Sequence, residues 1–139
     1  MFSLDSRLQQ DTLVLGDFPL CRLLLSLDAN YPWFILVPRQ EGASEVFDLD
    51  AEQQQQLWQE TSLLAEHLKA SLGADKMNVA TLGNVVSQLH MHVIARFKSD
   101  VAWPAPVWGK VAAVAYKEQR VAELKAGLQP LTAHGLVLA

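Results

Sequence analysis

Gln88, His90 and His92 stand at alternate positions and are the residues of this chain best suited to do chemistry. Leu89, Met91 and Val93 fill the places between and after them. A strand has a side-chain period of two, so the polar set shares one face and the apolar set the other. Two imidazoles about 6.5–7 Å apart along one strand face make a compact reactive surface. One chemistry open to it is nucleophilic attack at phosphorus: a neutral imidazole attacks, forms a covalent phosphoramidate and is then freed by water. That requires one ring nitrogen unprotonated and aimed outward while the other donates to a fixed acceptor such as a backbone carbonyl. Neighbouring polar side chains must meet the non-bridging oxygens, where charge accumulates. A second chemistry is metal binding, because a His-x-His strand can offer two nitrogens to one ion. Help for it is scarce: His67 falls on a helix, His134 lies in the tail, and no Cys/His pair or acidic cluster follows. A third reading leaves both histidines on a half-exposed strand with no task of their own.

The elements around this stretch must hold it still. Met77–Leu82 and Leu89–Arg96 read as strands joined by a turn at Gly83-Asn84. Upstream, Leu13–Leu15 and Leu20–Ser26 are short apolar runs separated by Gly16-Asp17 and Pro19, which predicts two strands and a tight turn. Trp33–Val37 is a further strand, fenced by Pro32 and Pro38. Leu4–Gln10 reads as a short helix with Asp5 near its start. The long helix is the clearest element. Asp50 caps it with Gln53 in the capping-box position, and Leu57, Thr61, Leu64, Ala65, Leu68 and Leu72 follow the helical period before Gly73 stops it. Lys98–Lys110, with Pro104, Pro106, Trp103 and Trp108, reads as an ordered loop, and Lys117–Leu128 as a second helix ended by Pro130. Strands, one long helix, more strands and a terminal helix predict an α+β fold with a mostly antiparallel sheet.

Composition narrows the function classes. The 139 residues, 50% hydrophobic and 19% charged, fit one globular domain over residues 1–139. A net charge of −4 argues against a general nucleic-acid binder, which needs a basic footprint. Cys21 is the one cysteine, so no internal disulfide forms and a reducing compartment is expected. The opening residues carry Asp5 and no apolar core, so no signal peptide is read there, and no apolar run is long enough to span a bilayer. The expectation is a cytoplasmic protein.

The stretch Gln88-Leu89-His90-Met91-His92-Val93-Ile94 resembles the signature of the histidine-triad (HIT) family, His-φ-His-φ-His-φ-φ with φ apolar. Asp28 followed by Tyr31-Pro32-Trp33-Phe34-Ile35-Leu36-Val37-Pro38-Arg39 resembles the family's acidic residue and its apolar strand ending in proline and a base. Asn78 is similar to the strand asparagine before the triad loop, and Trp103-Pro104 to a Trp-Pro tail of one branch. The resemblance implies a small α+β domain with a mostly antiparallel sheet of about five strands, a long helix and a C-terminal helix. It implies a homodimer, no cofactor, and hydrolysis or transfer of nucleotidyl groups from purine nucleoside phosphates or nucleotidyl conjugates.

By the same resemblance His90 matches the nucleophile, and His92 matches the histidine that supports the ring network and phosphoryl oxygens. Gln88 replaces the first histidine. Glutamine donates and accepts hydrogen bonds but does not titrate near neutral pH, so it can position and cannot shuttle protons. A non-catalytic nucleotide-binding module therefore stands beside the hydrolase, with a metal-dependent hydrolase as a third class. Asn84 and Ser87 are neutral donors expected at the phosphate oxygens, and Asp28 an acceptor for the ribose hydroxyls. Asn78 is expected at the site or tying strands behind it. Arg39 and Arg96 at strand ends read as structural ion pairs, Leu25 and Leu27 as core or base contacts. Trp103 and Trp108 cover the site, cover a partner, or anchor their loop.

Overall fold

The computed structural model describes residues 1–139. The chain runs α1 (Ser6–Asp11), β1 (Thr12–Asp17), β2 (Cys21–Ser26), β3 (Trp33–Pro38), α2 (Ala51–Leu72), β4 (Lys76–Ala80), β5 (Met91–Arg96), α3 (Glu118–Ala126) and β6 (Val137–Leu138), with short 3-10 turns at Val46–Asp48 and Gln129–His134. The strands form one antiparallel sheet in the order β4-β5-β3-β2-β1-β6. The α+β class and antiparallel sheet are as the sequence predicts. The sixth strand is not: β6 is two residues that pair with Gly16 and Asp17. Gly16 permits the approach, since a Cβ there would lie 2.4 Å from the Val137 carbonyl oxygen.

Strand alternation sorts the sheet into two covered faces. Leu23, Leu25, Phe34, Leu36, Met91 and Val93 bury against Leu57, Leu64 and Leu68 of α2 in the main core. Leu25 is thus core. The helix forms as its pattern predicts: Asp50 Oδ1 accepts from Gln53 N at 2.8 Å, Gln53 Oε1 accepts from Asp50 N at 3.1 Å, and Gly73 ends it at φ +68°. One turn departs from the expected apolar stripe. Glu60 is buried on the core side, where its carboxylate accepts from Leu20 N and Cys21 N at 2.9 and 2.8 Å. Those bonds fasten the helix to the start of β2.

The opposite face carries Leu24, Ile35 and Val37, covered by Leu4 and Leu8 of the N-terminal segment. His92 pairs with Ile35 on one side and Ala80 on the other, so its ring stands on this face. A long loop, residues 97–117, borders the same side. It is pinned by Asp100, which takes the buried Arg96 guanidinium in a two-pronged pair at 2.8 and 3.0 Å and also accepts from Phe97, Ala102 and Trp103 main-chain nitrogens. Arg39 pairs with Asp17. Both arginines are therefore engaged in ion pairs.

Candidate active site

The strand β5 begins at Met91, two residues later than expected, and β4 ends at Ala80. Gln88 and His90 consequently lie in the connection rather than on the strand, and Gly83 turns it at φ +77°. His90 is fixed by other means. Its carbonyl accepts from the Thr81 hydroxyl at 2.7 Å, and its Nδ1 lies 2.7 Å from the Gln88 carbonyl. A carbonyl only accepts, so Nδ1 carries the proton and the lone pair is left on Nε2. His90 and His92 meet edge to face with ring centroids 4.8 Å apart, closer than the repeat of a flat strand would place them.

His92 is locked the other way round. The Trp33 indole nitrogen, a donor and nothing else, points at His92 Nδ1 from 2.9 Å. Nδ1 must accept, so the proton sits on Nε2. Burial first, and then repulsion from a charged His90, hold the His92 imidazole down to about 3, well below its ordinary 6.5, so it is neutral at physiological pH. Trp108 closes on the same ring at 5.0 Å and meets Trp33 at 5.7 Å, so this loop tryptophan is part of the site. The two rings thus offer complementary groups: the Nε2 of His90, left free by the bond at its Nδ1, and the Nε2–H donor of His92.

Both rings border a hollow of about 310 Å³, walled by Leu82, Gly83, Asn84, Val85, Val86 and Trp108. Asn84 is therefore beside the histidines. Ser87 and the Gln88 side chain do not border that hollow: they line a separate polar one with Ser3, Asp5 and residues 42–44. The expectation that Gln88, Asn84 and Ser87 face one phosphate together is corrected here, because leaving the strand at residue 90 breaks the alternation that put Gln88 on the histidine face. Asn78 faces away as well, with its Oδ1 accepting from Arg96 Nη1 at 2.8 Å across β4 and β5. Asp28 borders a neighbouring hollow of about 380 Å³ with Gln10, Asp11, Ser26, Leu27, Trp33 and Ala113. Its Oδ1 accepts from Asn30 N at 3.0 Å, the turn role that any aspartate there can serve. Trp33 borders this hollow and contacts the ring of the first, so it stands between the two.

The family profile for the HIT domain matches residues 7–99. The chain belongs to the HIT domain family. Solved histidine-triad proteins are closely similar in structure. One from Marinobacter aquaeolei VT8 shares 51% identity at a TM-score of 0.93, covering 97% of this chain and 98% of that one. One from Bradyrhizobium japonicum shares 47% at 0.91, covering 93% and 96%. A third, from Sinorhizobium meliloti 1021, shares 42% at 0.91, covering 94% and 96%. No curated protein matches the chain significantly. HIT domains as a family bind nucleotides and include nucleotide hydrolases and transferases.

Within this HIT domain the residue that sequence reading missed is Trp33, taken only as a strand former. The signal was available: in an antiparallel pair, the diagonal neighbour of a strand histidine on the same face is within reach of a long side chain. Trp33 is that neighbour, two places from Ile35, which pairs with His92. No group of three or more His, Cys, Asp or Glu side chains is arranged to hold a metal ion. No helix is long and apolar enough to cross a membrane.

Proposed function

We propose that this HIT domain is a nucleotidyl hydrolase or transferase that acts at the α-phosphorus of a purine nucleoside phosphate or phosphoramidate. The observation that carries the reading is the Nδ1 hydrogen bond of His90, which leaves Nε2 as a free nucleophile beside an anion-sized hollow. Nε2 attacks phosphorus; the bond to the leaving oxygen or nitrogen breaks, and the leaving group departs with the electron pair and takes a proton from water. Water then attacks the phosphoramidate, the P–N bond breaks, and the nucleoside monophosphate leaves as His90 regains its lone pair and a proton passes to solvent. His92 Nε2–H and the Asn84 amide donate to the non-bridging oxygens as charge builds there. Asp28 receives the ribose, with the base in the hollow that Trp33 separates from the histidines. The mechanism draws on no metal.

Incubation with a nucleotidyl phosphoramidate should give turnover that His90→Ala abolishes, and a nucleotidyl adduct on the intact protein by mass. Unchanged turnover in that variant defeats the assignment. A second reading, a nucleotide-binding module without turnover, is favoured by one fact: the Gln88 amide neither titrates nor borders the hollow, so no proton donor stands at the first triad position. It predicts purine nucleotide affinity, no adduct and no turnover above buffer. Chelator separates the metal-dependent class from both. The same reading includes a homodimer, supported by the unpaired outer edge of β4 and by exposed Val79, Leu82 and Val85 beside it. Sedimentation of the wild type against Val79→Lys tests it. A cytoplasmic location accords with nucleotide substrates and a reduced Cys21.

A further inference from the structure

Gln88 is the place where the chain departs from the triad pattern, and its side chain is fully engaged elsewhere. Oε1 accepts from Asp5 N at 2.8 Å, and Nε2 donates to the Ser3 carbonyl at 2.8 Å. The carbonyl of the same residue is the acceptor that orients His90. A continuous run of hydrogen bonds thus joins the N-terminal segment to the ring.

That segment is itself anchored. Leu4 and Leu8 bury in the cluster with Leu24, Ile35 and Val37, and Val86 from the wall of the histidine hollow packs on the same cluster. Asp5 caps α1 through Arg7 N, and the Met1 amino group pairs with Glu41. On the other side, Leu89 N donates to the Ala43 carbonyl at 3.0 Å. Residues 81–90 lie between strands and have no ladder to hold them, so a carbonyl in that run is only as steady as its side contacts.

We propose that Gln88 is a positioning residue whose amide clasps Ser3–Asp5 and so fixes the carbonyl that aims His90. The kinetic part of the proposal rests on His90 being the nucleophile; the structural part does not. An amide offers an acceptor and a donor together and keeps both at every pH near neutral. A protonated imidazole in its place would lose the acceptor that Asp5 N requires. The glutamine is thereby a different device from the histidine it replaces, turned from the substrate toward the chain's own beginning.

The test uses Gln88→Ala, Gln88→Glu, a truncation lacking residues 1–5, and the truncation combined with Gln88→Ala. Ring nitrogen chemical shifts of His90 give a readout independent of activity. Wild type should show the Nδ1–H form, and both Gln88→Ala and the truncation a mixture of tautomers. Gln88→Glu keeps the acceptor but loses the donor, and should fall between wild type and Gln88→Ala. With a nucleotidyl phosphoramidate, kcat should fall about tenfold in Gln88→Ala and in the truncation, and less in Gln88→Glu, with KM nearly constant, as expected when a nucleophile loses its aim. The combined variant should be no worse than either alone, because both break one linkage. An unchanged His90 tautomer in Gln88→Ala, or additive losses in the combined variant, would overturn the clasp. If wild type has no turnover, the hydrolase reading fails while the ring shifts still decide the clasp; the point variants serve if the truncation does not fold.

Discussion

Replacing Trp33 with phenylalanine probes the lock on the His92 tautomer most directly. The substitution keeps an aromatic body in β3 and removes one hydrogen bond, the indole N–H to His92 Nδ1 at 2.9 Å. In the wild type, moving the His92 proton to Nδ1 would set two donors against each other in a buried place. The lost bond costs about 1 kcal/mol and the orphaned donor about 1–3 more. At about 1.4 kcal/mol per factor of ten, the Nε2–H form is favoured roughly 30-fold or better. Trp33→Phe removes that bias, so a substantial share of molecules should present a lone pair to the phosphoryl oxygen where a donor is needed. With about half of the molecules in the wrong tautomer, kcat/KM should fall about twofold, with modest thermal destabilisation from lost contact with Trp108 and Tyr31. Long-range proton–nitrogen spectra of the His92 ring, beside phosphoramidate turnover, measure both effects. A variant that keeps a pure Nε2–H ring and full turnover would refute the account of Trp33 as the lock.

Acid should destabilise the fold through His92: unfolded, the ring takes a proton near 6.5, but folded only near about 3, so its contribution is complete above about 6.5 and shrinks by up to about 1.4 kcal/mol per pH unit as pH falls toward 3. Urea midpoints at pH 7, 5 and 4 should show this slope, and His92→Asn should flatten it. Glu60→Ala leaves the Leu20 and Cys21 N–H groups without their carboxylate and should cost about 2–4 kcal/mol, lowering Tm by roughly 10 °C, with a milder effect for Glu60→Gln. Asp28→Ala should raise KM for a ribonucleotide about tenfold and change KM for the 2′,3′-dideoxy analogue little, a difference read from steady-state kinetics.

Elements with strong local signals were legible from residue order. The long helix begins and ends at its capping aspartate and its glycine, and β3 starts after Pro32 and ends on Pro38, because each mark is a backbone rule that needs no distant partner. Sites set by distant partners were not. Glu60 looks like one more solvated residue beside the run Gln53–Gln56, and only the approach of β2 turns it inward. The two residues of β6 have too little pattern to announce a strand; Gly16 makes room for them from the other end of the chain. The histidine pair was legible as an alternation, and the family signature with it. Gln88 was misplaced because alternation holds only while the ladder holds, and that ladder stops at Met91 opposite Leu36. The tautomers were legible in neither ring until a carbonyl and an indole were found at their Nδ1 atoms.

The two rims of the sheet are unequal, and this limits how copies can add to one another. The rim at β1 is spoiled for a newcomer: its register slips between Val14 and Gly16, and β6 occupies its far end. The rim at β4 pairs with β5 without a slip and carries no strand on its outer side. Strand addition needs a usable rim on each molecule, so pairing through β4 would be two-fold and would leave no second such rim for a third copy. The glycine that admits the final strand thereby takes the far end of the opposite rim out of reach of a second copy.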